Sequence, residues 1–363
     1  MTFLVAGVSL AVPLWAQSTC PVSAGDPSAS TSDLTDEHGV PLAHKEASLP
    51  LCTSDNAPWF TRYVCPSDGC GGACADLCNR CGAFGYADYL NWSARRKSLD
   101  YAAVVDPTQL ANPKGFTPLA TESLAFSRTG GARLGIGYAF SNGWDVSWNY
   151  TYFRTHGENS IAATPGALTG VLATQSFFNT TPMDFVEADG SLQLQIHDAE
   201  AGWHSLLSDS VGFRAFGGFR YATLEQEFNN SYGYTLGGTP VDGTINLHTN
   251  MDAEGIRFGA ELQWHSTQGF YVFGRGATSL LVATFHTQQQ ESDSLHGSIV
   301  DVPESATQVV PVLEAAAGLG WCHGPWELSA GYEMSNWFNM VAVNRPSENL
   351  LIDGFFFHAG WSH

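Results

Sequence analysis

The chain has 363 residues, 44% of them hydrophobic, yet only 14% are charged and the net charge is −20. That length allows a large core in one or two domains, and the acid excess argues against nucleic acid, whose phosphates need clustered Lys and Arg. With 38 Gly, 12% aromatics and just three Lys, the mixture is unusual for a domain with a charged, water-facing surface.

Residues 1 to 17 form an apolar stretch with small residues near Ala16, which reads as a signal peptide and is short for a spanning helix. The basic start usual in such segments is missing, because the first Lys or Arg is Lys45. No later window holds 18 unbroken apolar residues, so a helical membrane protein is excluded. Residues 18 to 64, rich in Ser, Pro, Asp and Thr without a period, read as a disordered linker.

A Cys- and Gly-rich segment, 65 to 83, carries Cys65, Cys70, Cys74, Cys78 and Cys81; Cys20 and Cys52 precede it and Cys322 stands far downstream. An even count in an exported chain points to disulfides, with the pairing open. The spacing lacks regular CxxC knuckles for zinc, and Cys81 is followed by Gly, which excludes c-type haem attachment. No metal or cofactor is expected.

From residue 84 the pattern becomes period two, the signature of strands with one apolar face. Ala132, Leu134, Ile136, Tyr138 and Phe140 share one side, with Arg133, Gly135, Gly137 and Ala139 on the other. Gly143 supplies the positive φ of a tight turn, after which Trp144, Val146, Trp148, Tyr150 and Tyr152 face away from Asp145, Ser147, Asn149 and Thr151. The unit recurs through residue 333, and its charges keep to one parity. On a membrane barrel that parity is the lumen, because Arg or Glu at mid-bilayer on the lipid face costs about 2 to 4 kcal/mol. In 191 to 206, however, Leu192, Leu194 and Ile196 are out of phase with Trp203, which calls either for bulges that restore phase or for a different strand boundary.

Ten strands are predicted, near 84 to 94, 122 to 140, 144 to 155, 191 to 206, 210 to 227, 245 to 265, 269 to 284, 306 to 321, 326 to 338 and 350 to 362, with 8 and 12 as alternatives. The stretch SLDYAAVVDP is a candidate for a short strand of its own. Short links near Asn142, Asp209, Thr267 and Gly324 alternate with long ones at 95 to 121, 156 to 190, 228 to 244, 285 to 305 and 339 to 349. That rhythm belongs to an up-and-down barrel with tight periplasmic turns and long outer loops, and a Greek-key sandwich has no reason to sort its loops so. Trp144, Trp203, Trp264, Trp321, Trp326 and Trp361 all fall at the short-turn end, as an aromatic girdle at the headgroup layer would. The predicted fold is therefore all-β: a transmembrane antiparallel β-barrel over 84 to 363 behind a Cys-rich leader, in the outer membrane of a diderm bacterium, with the leader periplasmic and outer-membrane lipid as a partner.

FGYADYLNWSARRKSLDYA, LGIGYAFSNGWDVSWNYTYFRTH and HDAEAGWHSLLSDSVGFRAFGGFRYATLEQEF resemble, in turn, the first strand and two hairpins of the pore-forming outer-membrane protein family typified by the Legionella major outer-membrane protein. That family has many relatives in planctomycetes, and the likeness covers roughly 84 to 363. The resemblance implies a pore-forming outer-membrane barrel and carries no catalytic residues.

No GxSxG, HExxH, Walker loop or helix-opening GxGxxG occurs, so no enzyme is expected. Of the 12 His, His197, His204, His248, His265 and His286 form no pair at metal spacing on one strand face. The candidate functional set is the lumen: Arg133, Arg214, Arg220, Arg257 and Arg275 against Glu261, Glu314, Glu327 and Glu333. Tight pairing across a narrow lumen gives a plugged structural or surface-interaction barrel. Segregation to opposite walls gives a passive pore for ions or small solutes, the leading expectation, although ten strands enclose little open space. Cys322, in a predicted periplasmic turn, is a candidate partner for one of Cys65 to Cys81.

Overall fold

A computed structural model describes residues 82–96, 99–106, 119–162, 168–170, 183–208, 210–266, 268–342 and 345–362. The signal-like stretch, the linker and Cys65 to Cys81 lie outside the described residues. In chain order the strands are β1 (Gly82–Arg96), β2 (Asp100–Val104), β3 (Ala120–Ser123), β4 (Thr129–Ala139), β5 (Trp144–Ala162), β6 (Leu168–Gly170), β7 (Phe185–Ser208), β8 (Val211–Leu236), β9 (Thr239–His265), β10 (Phe270–Asp293), β11 (Gly297–His323), β12 (Trp326–Ala342) and β13 (Arg345–Ser362). Ten of them close a barrel in the order β1-β13-β12-β11-β10-β9-β8-β7-β5-β4, with β4 returning to β1. Every neighbour in the ring is antiparallel. The ring thereby leaves no edge whose backbone groups would lack partners in lipid.

Turn chemistry sets the register. Between β4 and β5 the Phe140 N–H donates to the Trp144 carbonyl at 2.7 Å, and Gly143 holds φ +84°. At the opposite end β8 and β9 meet at Gly237 and Gly238, with φ +59° and +89°, two successive left-handed residues as a two-residue hairpin turn demands.

Three of the expected long links, 228 to 244, 285 to 305 and 339 to 349, are mostly strand. β8 runs 26 residues and β9 27, where a bilayer needs about 10, and they are joined by those two glycines alone. β10 and β11 likewise continue to a turn at residues 294–296. These segments alternate polar and small residues outside the lipid-length core, so hydropathy alone gives a loop-like signal while the ladder runs on. The expected strand 122 to 140 also divides, into β3 and β4 with residues 124–128 between them. The stretch at SLDYAAVVDP is β2, which with β3 and β6 forms a separate sheet in the order β3-β2-β6.

Parity decides what faces what. Leu134, Ile136, Phe258, Leu313 and Leu319 project outward, and Ile136 and Leu319 are 62% and 66% exposed. An apolar belt this extensive on a water-soluble surface would be a liability; against acyl chains it is the matched surface. The Trp residues share this outward parity at the tight-turn end, where Trp144 pairs with Trp203 and Trp326 with Trp361. Trp321 is half-buried and the other five are exposed.

Neither a bulge nor a strand boundary interrupts β7 between Leu192 and Trp203. Its register is continuous from Phe185 to Leu206 against β8, so Leu192, Leu194 and Ile196 point inward and are fully buried. They join Leu90, Trp92, Phe153, Leu224, Met251 and Trp337 in an apolar layer that fills the lumen. Farther from the tight turns, Tyr101 of β2 and Leu168 of β6 pack with the inward Val186, Phe228, Tyr232 and Ile245 as a second apolar cluster. The small sheet thus roofs the barrel.

If the belt meets lipid, Ile136→Arg destabilises the folded barrel by about 2 to 4 kcal/mol, read as a lowered urea midpoint in lipid vesicles. An unchanged midpoint would place that face in water.

Candidate functional site in the barrel interior

On the tight-turn side of the apolar layer the interior is rich in charged side chains, to which nine of the ten barrel strands contribute an Arg, Asp or Glu and β13 contributes His358. Two networks organise them. In the first, Arg133 of β4 donates from Nη1 to Asp88 Oδ2 of β1 at 2.9 Å and from Nη2 to both carboxylate oxygens of Glu333 of β12 at 3.0 and 3.1 Å. Arg275 of β10 reaches the same Glu333 at 3.4 Å, and His358 of β13 meets Asp88 at 2.6 Å. The Arg133 guanidinium also lies 5.7 Å from the Trp92 ring centroid, which ties this network to the apolar layer.

The second network is centred on Arg220 of β8, only 2% exposed. It forks onto Asp198 of β7 at 2.7 and 2.8 Å and reaches Glu314 of β11 at 3.1 Å. Arg257 of β9 donates to Glu314 at 2.9 Å and to Glu200. Arg214 forks onto Asp145 of β5 at 3.0 and 2.7 Å, and His204 meets that same carboxylate at 2.8 Å. The Phe216 ring has Arg214 at 4.9 Å and Arg257 at 5.0 Å from its centroid. Bidentate forks of this kind fix geometry as well as charge.

Glu314 bridges the arginines of β8 and β9 from β11, and Glu333 bridges those of β4 and β10 from β12. The charges are therefore interleaved across the lumen, with no wall of one sign. Beside them lies a cavity of about 310 Å³. All nine charged residues singled out in the sequence line it: Arg133, Arg214, Arg220, Arg257, Arg275, Glu261, Glu314, Glu327 and Glu333. Phe84, Pro325 and Trp361 line it at the tight-turn end, and Leu194, Ile196 and Ile352 of the apolar layer line it at the other.

Close approach here requires one glycine in particular. The Tyr86 ring, whose hydroxyl donates to Asn149 at 2.6 Å, lies directly over Gly135, where any Cβ would collide with it. Tyr271 donates to Glu327. Sequence reasoning missed Asp88, Asp198, Glu200 and His358 as partners of the arginines. Asp198 and Glu200 share the parity of Leu192, and the unsettled phase of that stretch gave no reason to assign them a face.

Cys322 is not in the turn but is the second-last residue of β11, inward and 1% exposed; its expected leader partners lie outside the described residues. Among the histidines, His197 stacks on the outward Trp148 and Tyr150. His248 shares a set of ligand atoms within 4.8 Å with the exposed Glu225 and Glu227, a grouping on the outer wall without a buried donor.

A closed antiparallel ring with an apolar outer belt and an ion-paired interior defines an outer-membrane β-barrel. The sequence agrees: the chain belongs to the family described as Legionella pneumophila major outer membrane protein precursor, whose pattern matches residues 89–363. A search of curated protein sequences finds no match. Among solved structures the chain is similar to the outer membrane protease OmpT of Escherichia coli, at TM-score 0.49 and 9% identity over 78% of this chain and 97% of that one. It is also similar to the attachment invasion locus protein Ail of Yersinia pestis (TM-score 0.26, 10% identity, 78% and 99% of the two chains). The Pseudomonas putida toluene transporter TodX gives TM-score 0.25 and 10% identity over 77% and 89%. Likenesses this distant transfer no activity.

The interleaving makes a specific energetic statement. Arg220→Met leaves Asp198 and Glu314 buried with one partner removed and costs about 3 to 5 kcal/mol. The triple change Arg220→Met, Asp198→Asn, Glu314→Gln should recover most of that loss. Urea midpoints of the three proteins in vesicles check it, and equal midpoints would mean the charges are water-screened.

Proposed function

We propose that the protein is an outer-membrane barrel with a closed lumen, serving the envelope as a structural and surface-interaction element instead of an open passive pore. The observation that carries this reading is the apolar layer, to which nine of the ten barrel strands contribute buried side chains. Water and ions have no favourable path through packed Leu, Phe and Trp, because an ion there loses its hydration without gaining a partner. Below that layer the arginines are committed to carboxylates, which also opposes conduction. The extended hairpins β8–β9 and β10–β11 and the roof of β2, β3 and β6 are then the face offered to the surroundings. In this reading the leader is periplasmic and the six Trp residues mark the inner headgroup layer.

A second reading, a pore for ions or small solutes closed at rest, is favoured by one observation: the charged half keeps a cavity of about 310 Å³. Apolar constrictions are known to gate by excluding water, so the apolar layer would be the gate. No catalytic role is proposed.

Planar-bilayer recording separates the two. The closed-barrel reading expects no discrete steps from pure protein across the usable voltage range. Steps whose size shifts on Glu327→Gln or Arg257→Gln would replace it with the pore.

A further inference from the structure

The described arginine side chains divide three ways. Five lie in the lumen networks, and Arg96 turns inward to Gln226. The remaining three, Arg95, Arg128 and Arg154, are exposed on the outer wall, and they gather on neighbouring strands although the chain as a whole is strongly acidic. Arg95 is on β1, Arg128 immediately precedes β4, and Arg154 is on β5. The pairing of Trp92 with Thr129 and of Gly131 with Phe153 sets them on a diagonal at intervals of roughly 8 Å, from the strand spacing and the rise per residue. Elsewhere on the outer wall, β8 and β9 present acids: Glu225, Glu227, Asp252 and Glu254.

The arginines stand at the edge of the apolar belt farthest from the tight turns. Arg128 donates to the Asn91 carbonyl at 3.2 Å and lies 5.9 Å from the Phe355 ring centroid. Tyr89 and Phe357, both outward and more than half exposed, stack below it with centroids 6.5 Å apart. Acids border the patch on the side farther from the tight turns, where Glu158 of β5 and its neighbour Asp189 of β7 are also exposed on the outer wall. Arg95, 62% exposed, pairs with Asp353 at 2.9 Å, whereas Arg128 and Arg154 have no ion-pair partner among the described residues. His156 lies exposed beside Arg154, its carbonyl accepting from the Ser127 N–H at 2.9 Å.

We propose that Arg95, Arg128 and Arg154 form a binding site for the phosphorylated headgroup of an outer-leaflet lipid, whose acyl chains lie on the adjoining aromatic belt. Tight turns mark the periplasmic end of such barrels, so the opposite edge of the belt meets the outer leaflet. Guanidinium groups match phosphate geometry with paired donors. Tyr89, Phe355 and Phe357 supply the apolar contact that a free phosphate would not use. The proposal rests on the outer-membrane assignment and is independent of whether the lumen conducts.

The test uses the full chain refolded in neutral detergent and titrated with lipid A, with dephosphorylated lipid A, and with inorganic phosphate, bound molecules being counted by native mass spectrometry. At about a factor of five per arginine near a charged lipid surface, the triple variant R95Q/R128Q/R154Q should bind lipid A on the order of a hundred-fold more weakly than the unaltered protein. R154Q alone, which removes a guanidinium with no ion-pair partner among the described residues, should lose roughly five-fold and guards against misfolding of the triple variant. Inorganic phosphate should give no complex. Equal lipid A affinity in the unaltered protein and R154Q, equal affinity of the unaltered protein for the dephosphorylated lipid, or a phosphate complex as tight as the lipid complex would each overturn the site.

Discussion

A hydrocarbon bilayer supplies no hydrogen bonds, so a chain that crosses it in strands must pair every backbone group within itself. The seam between β1 and β4 follows from that requirement. So does the position of the small sheet: its order β3-β2-β6 is open, not closed on itself, and it is placed in the roof, beyond the lipid-facing belt. Once the ring is closed, alternation along each strand forces half of its side chains into lipid and half into a narrow interior. Everything distinctive about this protein lies in how that interior is filled.

Charge in such an interior is costly to desolvate and is tolerated when partners and hydrogen bonds surround it. Here Asp198, Glu314 and Glu333 each serve two arginines, which makes the layer two multi-strand networks instead of separate surface pairs. The apolar layer above it has no such need. It fills the remaining width with Trp92, Phe153, Leu192 and Trp337, as expected where a barrel of about this strand number is just wide enough for side chains. The two layers act together, since Arg133 stacks on Trp92 while holding Asp88 and Glu333.

Much of this was legible from residue order because period two and turn glycines are local properties. The phase of Leu134 against Arg133, the turn at Gly143 and the clustering of Trp at one end each needed only a dozen neighbouring residues. The polar continuations of β8 to β11 were misread as loops, since outside the bilayer a strand no longer shows an apolar face to the reader. The inward set Leu192, Leu194 and Ile196 was misread as a phase error for a related reason. A greasy inward face contradicts the simple rule of apolar outside and polar inside. Which carboxylate meets which arginine was not legible at all: Arg133 and Glu333 are joined by barrel closure, 200 positions apart in the chain.

The central claim is that packed apolar side chains seal the lumen above a paired ionic layer. Thiol accessibility measures this directly: Leu192→Cys, within the apolar layer and off the cavity lining, in a barrel whose native cysteines are serine and which still folds, is exposed to a small water-soluble maleimide from both sides of the membrane. The account predicts no labelling until the barrel is unfolded, whereas labelling of the folded protein at the rate of a surface cysteine would contradict it.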